Sequence, residues 1–303
     1  GMYALRYNLT GAHNTATGYK ALTANTTGNY NTANGYFTLT ANTTGEYNTA
    51  AGYYSLNANT TGSHNTGYGY STLILNTTGA GNTATGWRSL RANTTGNYNN
   101  ASGYQSLTAN TTGSYNTASG YRALIANTTG ANNTALGGNA GNVITTGTQN
   151  VMVGYGTDPS AVDAENQIVI GYGATGHGDN IAVIGNGSAT AIHPHDDGEV
   201  DLGSSSYEFK DLYVDGVAYT DAIGFGTVTM TLPTADGSSG QVLTTDGGGA
   251  LSWASASSGT TVDGLSDAKS AGTNFTGSLL LGHQTTGTLN AAQYNTGVGL
   301  TAL

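Results

Sequence analysis

The sequence predicts an all-β chain, a parallel β-solenoid or β-roll of 17-residue repeats, and three observations predict it. Asn-Thr-Thr-Gly begins at Asn25 and returns at Asn42, Asn59, Asn76, Asn93, Asn110 and Asn127, each 17 residues after the last. A fixed period over this many copies is the mark of a repeat architecture. Other positions keep the same phase: an aromatic column (Tyr19, Tyr36, Tyr53, Tyr70, Trp87, Tyr104, Tyr121), a leucine column from Leu5 through Leu22 and Leu39 to Leu124, and an asparagine column from Asn14 to Asn133. Finally, the unit is rich in Gly, Thr and Asn and has no apolar residues at three-and-four spacing, which excludes an amphipathic helix pair.

Within one unit, a strand is expected around Asn14-Thr15-Ala16 and a second around Gly18-Tyr19-Lys20-Ala21-Leu22. The Asn-Thr-Thr-Gly segment should form the corner, with Gly28 and Gly45 supplying positive φ and Asn25 and Asn42 bonding local backbone. If each unit is one coil, identical residues stack at the interstrand spacing of ~4.8 Å and the columns become ladders. Leu22 and Leu39 then fill a narrow lumen, one leucine per coil. The ends of such a stack expose unpaired edges, so coils must be capped or joined end to end.

Composition narrows the function. Charged residues make up 8% of the 303 positions and the net charge is −10 on seven Lys and Arg, which leaves no cationic footprint for nucleic acid or an anionic membrane surface. The chain has no cysteine, so neither a disulfide framework nor thiolate chemistry is available. No run approaches the ~18 consecutive apolar residues of a membrane span. Paired carboxylates, a base beside a nucleophile and a phosphate-binding glycine loop in a βαβ setting are all missing from the pattern, so the sequence predicts no enzyme.

The period shortens past residue 150. Asn166-Gln167-Ile168-Val169-Ile170-Gly171 is followed 14 residues later by Asn180-Ile181-Ala182-Val183-Ile184-Gly185. This pair resembles the head repeat of trimeric autotransporter adhesins. The segment from Asp201-Leu202-Gly203 to Val214-Asp215-Gly216, and that from Leu232-Pro233-Thr234 to Thr245-Asp246-Gly247, are similar to shaft segments of phage tail-fibre proteins. Near the end, Asn295-Thr296-Gly297-Val298-Gly299-Leu300 restarts the head-type pattern. Four regions are therefore expected: the 17-residue solenoid over 1–155, the 14-residue roll over 156–190, a shaft-like β segment over 191–255, and a linker with the restarted repeat over 256–303. The resemblance implies a homotrimer in an extracellular or virion-surface fibre, with a cell-surface glycan or protein as receptor.

Candidate sites follow. The Tyr19 to Tyr121 column is the expected contact surface, either for a receptor or at the trimer interface, since aromatic rings with polar tips suit both. His193-Pro194-His195 has ligand-like spacing, and three copies around an axis would offer six nitrogens to a divalent transition metal, the use that the resembling tail-fibre tips make of His-x-His; a turn at Pro194 with Asp196 and Asp197 fits a solvated polar loop as well. The Asn-x-Thr tripeptides at Asn25 to Asn127 match the N-glycosylation acceptor pattern, but duplication of a corner-forming motif is the preferred account of them.

Overall fold

In the computed structural model, residues 1–189, 192, 206–211, 213–215, 222–225, 228–233, 235, 237–248, 250–255, 268–270, 279–281 and 296–298 are described. The chain forms two compact units, Gly1–Glu199 and Val200–Leu303.

The first unit is an all-β parallel solenoid. Its eleven strands are β1 (Thr15–Thr17), β2 (Thr32–Asn34), β3 (Thr49–Ala51), β4 (Thr66–Tyr68), β5 (Thr83–Thr85), β6 (Asn100–Ser102), β7 (Thr117–Ser119), β8 (Thr134–Leu136), β9 (Val151–Val153), β10 (Ile168–Ile170) and β11 (Ala182–Ile184), hydrogen-bonded in chain order as one sheet. Register is 17 residues from Thr15↔Thr32 through Val151↔Ile168, then 14 at Ile168↔Ala182. The change of period is a shorter return path inside one continuous sheet. In almost every strand the middle residue points into the coil: Ala33, Ala50, Ala84, Ala101, Ala118, Ala135, Met152 and Val169 are fully or almost fully buried. Its neighbours on either side face outward, as strand alternation requires.

Three-residue strands alone would hold such a stack weakly, and the remaining backbone supplies the rest. On the far side of the coil Leu22 N–H donates to Thr38 O at 3.0 Å and Ala24 N–H to Thr40 O at 3.1 Å. At the corner Thr26 N–H donates to Thr43 O at 2.9 Å, and in the opposite direction Phe37 N–H donates to Tyr19 O at 3.0 Å. Nearly every segment of a coil is thus bonded to a neighbouring coil, which satisfies backbone that a turn would otherwise leave buried and unpaired.

The second expected strand, Gly18 to Leu22, is a turn instead. Lys20 and Leu22 have φ of 54° and 53°, and the same phases are left-handed in each coil down to Arg122 and Leu124. Two left-handed residues flanking buried Ala21 fold the chain back within five residues, a reversal that extended backbone cannot make. Each such residue costs roughly 1–2 kcal/mol, but Leu22 is completely buried and its N–H is bonded across coils. The leucine column fills the lumen as expected: Leu22, Leu39, Leu56, Leu73, Leu90, Leu107 and Leu124 have 0% exposure.

The corner asparagine bonds local backbone as expected, Asn25 Nδ2 to Gly28 O and Asn42 Nδ2 to Gly45 O, both at 3.0 Å, but its glycine acts differently. Neither Gly28 nor Gly45 is in the left-handed region. Glycine is needed there because a Cβ on Gly28 would collide with the carbonyl oxygen of Gly45 in the next coil, and one on Gly45 with that of Gly62. Left-handed φ belongs to the glycine before the aromatic column, such as Gly35 at 139°.

In the second unit, β12 (Ala222–Phe225) and β13 (Val228–Thr231) pair antiparallel, as do β14 (Gln241–Thr245) and β15 (Leu251–Ser255). The turn of the second hairpin is shaped by Asp246, whose Oδ1 accepts from Gly248 N–H at 2.7 Å and Ala250 N–H at 3.0 Å, with Gly247 at φ 78°. Trp253 Nε1–H donates to Ala235 O at 2.8 Å, tying the hairpin to the segment before it. Beyond β16 (Ala268–Ser270), β17 (Leu279–Leu281) and β18 (Thr296–Val298) pair in parallel with Leu279 opposite Thr296, a 17-residue offset again.

Candidate contact surface

Two buried asparagine ladders fix the coils that present the surface. In the first, each Asn-Thr-Thr-Gly asparagine donates to the one before it: Asn42 Nδ2 to Asn25 Oδ1 at 2.9 Å, Asn59 to Asn42 at 2.8 Å, and so on to Asn127. In the second, Asn48 presents both its N–H and its Nδ2 to Asn31 Oδ1 at 3.0 and 3.1 Å. The ladders meet at the corner glycine, since Gly45 O accepts from Asn42 Nδ2 at 3.0 Å and from Asn31 Nδ2 at 2.8 Å. These asparagines are completely buried. The Asn-x-Thr nitrogen therefore points into the coil with its hydrogens engaged, and a folded coil leaves no room for a glycan on Asn25 or its equivalents.

Outside, the expected aromatic column is a continuous stack. Centroids are 5.3 Å apart for Tyr19 and Tyr36, 5.2 Å for Tyr36 and Tyr53, 5.1 Å for Tyr53 and Tyr70, 6.2 Å for Tyr70 and Trp87, 4.7 Å for Trp87 and Tyr104, and 5.3 Å for Tyr104 and Tyr121. Planes diverge by 18° or less. Tyr36, Tyr53, Tyr70, Tyr104 and Tyr121 are 42–51% exposed. From Tyr36 to Tyr104 each ring is stacked on both faces, so along that stretch what solvent meets is a row of ring edges and hydroxyls. Loss of water on the ladder side, then the neighbouring phenols Tyr54, Tyr70 and Tyr36, push the Tyr53 hydroxyl above its ordinary pKa.

A second aromatic stack lies just before the strand: His13 on Tyr30 at 4.7 Å, Tyr30 on Tyr47 at 4.9 Å, Tyr47 on His64 at 4.9 Å, and Tyr98 on Tyr115 at 5.2 Å. His13 and His64 are ring-for-ring replacements in this ladder. Gly81 interrupts it, and the Tyr98 ring settles against Gly81 where a side chain would have been.

One surface was missed by sequence reasoning. The outward residues of β1–β7 are mostly Thr, Asn and Ser, whereas from β8 onward, Thr134 apart, they are Leu136, Val151, Val153, Ile168, Ile170, Ala182 and Ile184. Leu136, Ile168, Ile170 and Ile184 are 53%, 41%, 38% and 57% exposed. The signal was present in the strand triplets, which change from Thr-Ala-Thr to Ile-Val-Ile.

His193 and His195 lie outside the described residues. Among the described residues no group of three or more His, Cys, Asp or Glu could hold a metal ion. Comparison of the chain with protein families, with curated proteins and with solved structures gave no match in any of the three.

Proposed function

We propose that this chain is a structural, non-enzymatic fibre component that self-associates as a homotrimer at an extracellular or virion surface and supports adhesion, in the manner of a tail fibre or adhesin head. The observation behind the reading is the apolar strip Leu136–Val153–Ile170–Ile184 on an otherwise Thr-lined sheet. Exposed apolar sheet of this extent favours burial against like surface, and three copies bury more of it than one. A lumen filled by Leu, Ala and bonded Asn gives the rigidity that a fibre requires. The sheet face takes the interface role that sequence reasoning had offered to the Tyr column as one of its two uses.

A second reading, a carbohydrate-binding module that stacks sugars on Tyr19 to Tyr121, is disfavoured in its simplest form because the ring faces are already stacked on one another. Sedimentation equilibrium tests the first reading: the chain should run at three times its 30.5 kDa, and Ile168→Glu with Ile170→Glu should give monomers with unchanged β circular dichroism. A monomeric parent protein, or a double variant that stays trimeric, refutes it.

A further inference from the structure

Basic residues are few, and in the solenoid they are confined to one edge. Within residues 1–189 they are Arg6, Lys20, Arg88, Arg91 and Arg122. Lys20, Arg88 and Arg122 share the repeat position next to the Tyr/Trp ladder, and Arg6 and Arg91 share the position three residues further on. Across residues 1–138 the only carboxylate is Glu46, which is in the opposite turn and accepts from Asn29 Nδ2 at 2.7 Å. The other acids of the solenoid, Asp158, Asp163, Glu165 and Asp179, all come later. The net charge of the chain therefore conceals a positive edge along the first eight coils.

No ion pair among the described residues uses any of these five cations. Three of the five lie on aromatic rings instead: Lys20 Nζ is 5.0 Å from the Phe37 ring centre, Arg88 Cζ 4.2 Å from that of Trp87, and Arg6 Cζ 5.0 Å from that of Tyr3. Arg88 Nε is buried without a hydrogen-bond partner, so the donor is unspent within the chain. A guanidinium resting on a ring loses less freedom when it meets an anion than one extended into solvent.

We infer that this edge binds an extended acidic polysaccharide lying along the solenoid axis. From Lys20 to Arg122 there are six coil steps, roughly 29 Å at the strand spacing, too far for one small anion and suited to a polymer with repeated carboxylates or sulfates. Single-stranded nucleic acid also offers repeated charge, but it gains its affinity by stacking bases on free aromatic faces, and here those faces are occupied. What remains exposed between the cations is a row of tyrosine hydroxyls, donors and acceptors that match sugar hydroxyls. The inference concerns an edge separate from the apolar strip and stands whether the chain is monomeric or trimeric.

Isothermal titration of the full chain against heparin, polygalacturonate, neutral dextran and a thymidine oligonucleotide tests this. Heparin and polygalacturonate should bind, with affinity falling as salt shortens the screening length, while dextran gives no heat and the oligonucleotide binds at least tenfold more weakly. Removing cations should weaken binding roughly two- to fivefold each, as for solvent-exposed charge pairs. Arg122→Gln, on an exposed side chain, and Arg88→Gln with Arg122→Gln provide the series, with Lys210→Gln as a control outside the edge. Binding to neither acidic polysaccharide overturns the inference. So does equal binding of the oligonucleotide, or an Arg122→Gln protein with parent affinity.

Discussion

Replacing Asn76 by alanine tests whether the buried ladder, rather than the short strands, holds the coils together. Asn76 Nδ2 donates to Asn59 Oδ1 at 2.8 Å and to Gly79 O at 2.9 Å, and its Oδ1 accepts from Asn93 Nδ2 at 2.7 Å. Alanine leaves Asn59 Oδ1 without its ladder donor and takes one acceptor from Asn93, while Gly79 O keeps its bond from Asn65 at 2.8 Å. One orphaned buried acceptor costs about 1–3 kcal/mol, and the small cavity brings the total to roughly 2–4 kcal/mol. Hydrogen exchange reads this coil by coil, so backbone amides around residues 59–93 should lose protection by roughly 30- to 1,000-fold at 1.4 kcal/mol per decade. Asn127 supplies the internal control. Its Oδ1 already lacks a partner because Ile144 stands where the next asparagine would be. Asn127→Ala therefore exchanges one orphan, its own oxygen, for another, that of Asn110, and should cost about 1–3 kcal/mol less than Asn76→Ala. Equal effects at the two positions, or parent-like protection in Asn76→Ala, would refute the ladder as the source of coil cohesion.

Three further outcomes are expected. Gly62→Ala should destabilise by about 3 kcal/mol or more, because the new Cβ collides with Gly79 O and comes within 2.5 Å of Asn59 Oδ1, whereas Gly156→Ala, at φ 61° with open space around it, should cost about 1 kcal/mol; urea titration of both separates backbone crowding from backbone dihedral. Gln105 has φ 56°, a region hostile to β-branched side chains, so Gln105→Val should lower stability by about 1–2 kcal/mol and Gln105→Asn should not. Burial raises the Asp158 pKa, outweighing the N–H groups of Val143 and Asn142 that lower it. A folded-state value above the unfolded one means that Asp158 favours folding at low pH and that this contribution is lost as pH rises from the ordinary 3.8 through the folded value. Asp158→Asn should remove that part of the pH dependence, and an unchanged profile would show that the carboxyl is not desolvated.

The period, the leucine lumen and the aromatic ladder were legible in the sequence because a repeat prints every inter-coil contact as a column. Position within a column shows that residues stack, but it does not show which way they point. Asn25 read as a corner residue bonding local backbone, and its Nδ2 does donate to Gly28 O at 3.0 Å; what its column did not show is that it is buried and also donates to Asn8, 17 residues away, at 2.6 Å. Lys20 and Leu22 read as strand by composition, and no propensity scale places two non-glycine left-handed residues in one turn. Their conformation is imposed by the need to close the coil, and it is stable only because the neighbouring coil makes the same turn and supplies the bonds.

The same reasoning explains where the columns fail. A ladder member is worth most when both neighbours match it, so one substitution leaves a defect at each side unless a second change absorbs it. At Gly81 the defect is absorbed by Tyr98, which settles into the gap. At Ile144 the lumen side is repaired by a fully buried apolar side chain, while Asn127 Oδ1 is left unpaired. That unpaired oxygen lies in the coil just before β8, where the outer sheet face changes from threonine to leucine and isoleucine. From there the first asparagine ladder is gone and the sheet exposes apolar surface, the feature on which the proposed self-association rests.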